Sequence, residues 1–175
     1  MEELQTRQIV LTGVMIALVA VFTLAVRIPF PLTQGYFNFS DVGVYLAAFA
    51  FGPWVGLIAG GVGTALADTV GGYLIYAPIS LITRGLQGLV AGAVARRDPG
   101  VASMVAGWAL GSVVMVTGYF VSQAFILQMG IGPATAEALA INLPQVVIGG
   151  IVAVPLVLAL RRGYPPIVSW GRPRV

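Results

Sequence analysis

YFNFSDVGVYLAAFAFGPWVGLIAGGVGTALADTVGGYLIYAPISLITRGLQGLVAGAVARR, residues 36–97, is apolar for most of its length yet holds Asp68, Arg84 and Gln87. Each of these side chains is costly in hydrocarbon, so each needs water, a partner side chain or a ligand to meet it. The stretch therefore reads as membrane helices arranged around something polar. The rest of the chain agrees: of 175 residues, 58% are hydrophobic and 9% charged, and the mean hydropathy of +0.96 is far from that of soluble domains.

Composition also removes function classes. Without cysteine there is no disulfide framework or thiolate metal site, and without histidine the usual zinc ligands, proton shuttles and Ser-His-Asp triads are missing. No metal, cofactor or catalytic residue is expected. The net charge of +3 comes from nine arginines, most of which flank apolar segments. The positive-inside rule explains them better than nucleic-acid binding does. Glu2 and Glu3 leave no basic region ahead of the first apolar run, so that run is expected to stay as a membrane helix.

Outward from the opening stretch, the breakers divide the chain into one transmembrane domain of six helices, at about 6–27, 40–52, 53–70, 78–95, 101–128 and 133–160, with a cytoplasmic tail over 161–175. Gly52-Pro53 and Gly71-Gly72 bound the third helix, making helices two and three a short paired hairpin. Residues 28–38, with two prolines and several aromatics, suit a re-entrant or capping loop. With both termini inside, Arg7, Arg96, Arg97, Arg161, Arg162, Arg172 and Arg174, seven of the nine arginines, are cytoplasmic. The expected topology is thus N-in, C-in, in the plasma membrane.

Depth sorts the polar residues. Arg84 lies six residues past Pro78, about 9 Å below the outer end of its helix, and shares a face with Ser80 and Gln87. Tyr119 with Gln123 and Asn142 with Gln145 make similar pairs on the last two helices, and Asp68 sits in the outer third of helix three. Arg84 could pair with Asp68 or meet a ligand, and the two are compatible. Asp41, after Ser40, reads as an ordinary acid of a helix start, and Glu137 as a complement to a helix dipole. Tyr36, Phe37, Tyr73 and Tyr76, with Tyr119, form either an interfacial belt or a stacking box.

The inner half is almost wholly Ala, Gly, Val, Leu and Ile. A channel or self-sufficient carrier needs polar lining on both sides of its midpoint. A one-sided pocket suggests capture from outside, with release depending on another component. The alternative is a solitary transporter or channel working without ATPase partners. A membrane enzyme fits least, for want of catalytic groups.

With the later NLPQVVIGGIVAVPL, residues 142–156, the quoted stretch resembles the substrate-binding S-components of energy-coupling factor (ECF) vitamin transporters. The resemblance covers essentially the whole chain, and is nearest to the group linked to thiamin precursors and vitamin B6-type compounds. It implies a six-helix, non-catalytic subunit surrounded by membrane lipid, with an outward site from the first and third loops and helices four to six. It also implies docking onto a transmembrane T-component bound to two cytoplasmic ATPases. The ligand would be a small, heteroaromatic, water-soluble vitamin or precursor. The family docks through an AxxxA motif on helix one; the nearest match is Gly13 to Ala17, with glycine for the first alanine and Ala20 on the same face. The residues expected to bind substrate are Tyr36, Asp68, Tyr73, Tyr76, Ser80, Arg84, Gln87, Tyr119, Gln123, Asn142 and Gln145.

Overall fold

Six helices follow one another in the computed structural model, which describes residues 2–96 and 100–164, and the side chains of all of these except 2–5 and 7. Arg97, Arg172, Arg174 and the tail from 165 onward lie outside the described residues, as does the side chain of Arg7. Helix α1 is Glu2–Ala25, α2 Ser40–Phe51, α3 Pro53–Gly71 and α4 Ala77–Ala95. Helix α5 runs over Val101–Ile126 and α6 over Ile131–Gly163. The outer end of α5, Ser122–Ile126, is wound as a π-helix, and so is Ala138–Asn142 within α6. Pro144 follows the second of these widened turns and brings no N–H to the ladder, which accounts for a disturbed hydrogen-bond register there.

Five segments, Gln8–Ala25, Pro53–Gly71, Ala77–Ala95, Val101–Ile126 and Ile131–Gly163, are long and apolar enough to cross a membrane. Helix α2 has 12 residues, about 18 Å at 1.5 Å per residue, short of a bilayer core of about 30 Å. It is the innermost helix instead. Every residue from Ser40 to Ala50 is buried, because α1, α3, α4 and α6 all pack on it. Helices two and three do pack on each other as a hairpin, and α2 is in addition the axis that α1, α4 and α6 cover. A uniformly apolar helix has no face to give to water, and full enclosure satisfies it.

Small residues set how closely the covers approach. At the α3–α4 contact, a Cβ added to Gly56 would stand 2.7 Å from the carbonyl oxygen of Gly88, so the two backbones touch directly. On the other side, Gly149 of α6 lies directly against Asp41 of α2, where a Cβ would overlap the aspartate side chain. The lower core around α2 is apolar: Val44, Leu46, Phe49, Met104 and Val157 are all buried there.

The connection over 26–39 folds down over the outer end of α2. It contains a two-residue antiparallel ladder, β1 Ile28–Pro29 and β2 Tyr36–Phe37, in register Ile28↔Phe37 and Pro29↔Tyr36. Gln34 turns the chain with a φ of 58°, and the Phe30 N–H donates to Gly35 O at 2.7 Å. Thr33 is buried beneath this strap, where its carbonyl accepts the Tyr76 hydroxyl.

Candidate substrate site

Three of the six acidic residues, Asp41, Asp68 and Glu137, belong to apolar segments, and the fold gathers all three below the strap. They form two clusters of different character.

In the first, Asp41 is the hub. Its Oδ2 accepts Arg84 Nη1 and Gln145 Nε2, each at 2.7 Å, and its Oδ1 accepts Gln87 Nε2 at 2.5 Å. Arg84 Nη1 also donates to Gln87 Oε1 at 3.1 Å, and Gln145 Oε1 accepts the Asn38 N–H at 2.8 Å. Asp41 and Gln87 are fully buried, and Arg84 and Gln145 are 2% exposed. A buried ion pair persists when most of its remaining donors and acceptors are met, and here the two glutamines complete the Asp41 carboxylate while Arg84 Nε keeps no partner. Two expectations are corrected. Arg84 pairs with Asp41, not Asp68, because α2 rather than α3 presents a carboxylate to the Arg84–Gln87 face. Nor is Asp41 a capping residue: the side chain that accepts an N–H at the start of α2 is that of Asn38, whose Oδ1 takes the Ser40 N–H at 2.8 Å, and the Asp41 oxygens are occupied by Arg84, Gln87 and Gln145.

The second cluster lies on the strap side. Asp68 Oδ1 accepts the Tyr36 hydroxyl at 2.5 Å, and Glu137 Oε1 accepts Gln123 Nε2 at 2.7 Å. Ser80 and the Tyr119 hydroxyl are 2.6 Å apart. Their partnering stops short of completion: Asp68 Oδ2, Glu137 Oε2, Asn142 Nδ2, Thr64 Oγ1 and Arg84 Nε are buried without a hydrogen-bond partner. All five residues line one cavity. Tyr36, Tyr76, Ser80 and Tyr119 complete its wall, with Gly35 and Asn38 of the strap above. The strap rests on the acid itself, since a Cβ at Gly35 would meet the Glu137 carboxylate.

Aromatic rings give the cavity its sides. Tyr36 and Tyr73 pack with centroids 4.2 Å apart and planes tilted by 35°, Tyr76 and Tyr119 lie 6.4 Å apart, and the Arg84 guanidinium is 5.2 Å from the Tyr119 ring centre. Burial, reinforced by the Asp68 carboxyl, pushes the Tyr36 phenol well above its ordinary pKa. Burial and then Glu137 push Tyr76 up to about 12. Both hydroxyls are neutral donors at any physiological pH. The free space is about 20 Å³, room for one water but not for a ring.

A family model for the S component of the ECF-type riboflavin transporter matches residues 3–162. The chain belongs to this family. An uncharacterized protein of Pyrococcus woesei is 41% identical over 151 residues, covering 86% of the chain and 99% of the relative. The thiamine precursor transporter HmpT of Lactococcus lactis subsp. cremoris (strain MG1363) is 32% identical over 154 residues, covering 87% of each. As an ECF S component, the protein is a multi-pass helical subunit of the plasma membrane.

Within this S component the residues singled out from sequence divide by role. Tyr36, Asp68, Tyr76, Ser80, Arg84, Tyr119 and Asn142 line the cavity. Gln87 and Gln145 do not; they hold Asp41 beneath it. Gln123 stands behind Glu137, and Tyr73 is a half-buried outer layer over Tyr36. Asn38, Thr64 and Glu137 line the site without having been expected there. Thr64 had a signal, four residues before Asp68 and so on the same helical face. Glu137 had a weaker one, because the π-helical turn between it and Asn142 upsets ordinary helical spacing.

Proposed function

We propose that this S component is the capture subunit of an ECF-type importer, taking a small heteroaromatic vitamin or precursor from outside for ATP-driven uptake. The observation that carries this reading is the one-sided chamber. The buried polar side chains, from Thr33 and Asn38 to Asn142 and Gln145, lie toward the strap or no deeper than mid-membrane, above an apolar core around α2. Relatedness to a thiamine precursor transporter supports the ligand class. Flat rings suit walls made of Tyr36, Tyr76 and Tyr119, while Asp68, Arg84, Ser80 and Asn142 orient the ring edge. Gln87 and Gln145 act at one remove by holding Arg84 and Asp41.

Entry requires the strap to lift, since the cavity holds a water and not a ring. Release on the inner side has no polar path through the described core, which favours a partner-driven movement of the whole subunit. The proposed partners are a transmembrane T-component and two cytoplasmic ATPases. Gly13 and Ala17 are exposed on α1 and Ala20 is partly so, and a Cβ at Gly13 would meet nothing within 4 Å. That stripe is the proposed docking face.

Uptake of a labelled thiamin-type pyrimidine into cells with and without the T-component and ATPases tests the reading. Binding to the purified subunit, uptake only with the partners, and loss of uptake but not binding in Ala17→Leu are expected. Accumulation driven by this chain without partners would favour a solitary transporter.

A further inference from the structure

We infer that the strap and the turn over residues 72–76 are seated in the outer lipid leaflet, so that the lid over the chamber lies against lipid rather than water. The inference goes beyond the capture reading and stands without it, because it concerns the outer surface of the lid and not what lies beneath.

Depth gives the first argument. Helices α2 and α3 meet at one inner turn, Gly52-Pro53. At 1.5 Å per residue, the 12 residues of α2 rise about 18 Å from that turn and the 19 residues of α3 about 28 Å. The outer end of α2 is therefore recessed by about 10 Å, and the strap descends into the step. At its lower end the Phe39 N–H donates to Phe22 O at 3.3 Å, within the apolar span Gln8–Ala25. Higher up, Thr33 is bonded to Tyr76, next to the first residue of the span Ala77–Ala95. The lid thus lies between the ends of the spans and not above them.

The chemistry of its surface gives the second. Inward residues hold the lid: Thr33 and Tyr76 are buried and bonded to each other, and the rings of Tyr36 and Tyr73 pack together. Outward neighbours are apolar. Ile28, Leu32, Leu74 and Ile75 are 56%, 60%, 66% and 50% exposed, as open as Val113 at 61% on the lipid-facing surface of α5. Exposed apolar residues grouped in this way mark a contact surface. Lipid is the occupant that continuity favours, because Val70, also exposed, carries the apolar surface of α3 up to the turn. Charge agrees. Across 26–39, 72–76 and 127–130, Arg27 is the one charged residue. Its Nη1 donates to Gly71 O at 3.2 Å, which places a cation at the C-terminal end of α3, where the helix dipole favours it, with an aliphatic stem suited to an interface.

The chain has no cysteine, so single substitutions can carry a nitroxide label. Leu32→Cys and Leu74→Cys are labelled in the full chain in phosphatidylcholine–phosphatidylglycerol vesicles. Power saturation compares oxygen, which concentrates in lipid, with a water-soluble nickel chelate. Val113→Cys supplies the lipid reference, and Gly163→Cys, beside Arg161 and Arg162 at the inner end of α6, the aqueous one. The expected oxygen-to-nickel ratio at positions 32 and 74 matches that at 113. A ratio like that at 163 overturns the inference, and so does protection from both reagents, which would mean that protein covers the lid. A diazirine borne on a lipid acyl chain makes the same test on the unsubstituted protein. Labelling within residues 28–32 and 74–75 is expected, and labelling confined to the helices overturns the inference.

Discussion

Two acid clusters share one membrane chamber and differ in completeness. Around Asp41 both carboxylate oxygens are taken by Arg84, Gln87 and Gln145, and the glutamines are in turn held. Around Asp68 and Glu137 each carboxyl keeps one buried oxygen with no partner. A closed network fixes the relative positions of α2, α4 and α6, and removing any member leaves a buried charge or dipole exposed to nothing. An open network has the opposite character: its members are under-satisfied in the folded chain and gain when something else arrives. The difference separates scaffold from site more sharply than depth or residue type does.

The comparison can be broken from the closed side first. Arg84→Met leaves Asp41 without its counter-charge and is expected to lower stability by about 3–5 kcal/mol, read as a large fall in the melting temperature of the detergent-purified protein. The double variant Asp41→Leu/Arg84→Met should be less damaged than the single one. A double variant that loses the full sum of the two single effects would show that the pair is not coupled. Next, Gly149→Ala drives a methyl into Asp41 and should cost about 1–3 kcal/mol by overpacking; an unchanged melting curve would mean that α2 and α6 are not pressed together there.

On the open side the expected stability effects shrink. Tyr36→Phe removes the hydroxyl that Asp68 accepts at 2.5 Å and should cost about 1 kcal/mol, together with weaker ligand binding because Asp68 loses its orienting contact. Glu137→Gln keeps shape and lets Gln123 rotate to a new partner. Its stability should stay within about 1 kcal/mol of wild type, while ligand affinity falls.

Much of the fold could be read from the sequence because lipid imposes simple rules. Apolar length, arginine distribution and the Gly-Pro and Gly-Gly breaks depend only on local composition. The depth of Arg84, and its shared face with Gln87 and Ser80, follow from helical periodicity alone. The partner of that face does not. Whether Asp41 or Asp68 meets Arg84 depends on how α2 and α3 are rotated and stacked, and Ser-Asp at a helix start has the same local signature whether the acid caps its own helix or reaches across to another. The central position of α2 was hidden for a similar reason, since an apolar helix of this length looks alike against lipid and inside a bundle. Asn142 and Gln145, read as one face, part company in space: one lines the cavity and the other lies below it, next to a π-helical turn that periodicity does not announce.

The most direct test of the contrast is the melting temperature of Glu137→Gln measured with and without saturating 4-aminopyrimidine, beside wild type. A ligand that binds the folded state raises the melting temperature by an amount that grows with the logarithm of its concentration over its dissociation constant. The expected result is a melting temperature close to wild type without the ligand and a ligand-induced rise that is largely lost. A variant that melts much lower yet keeps the full ligand-induced rise would contradict the account, by placing Glu137 in the scaffold and the ligand elsewhere.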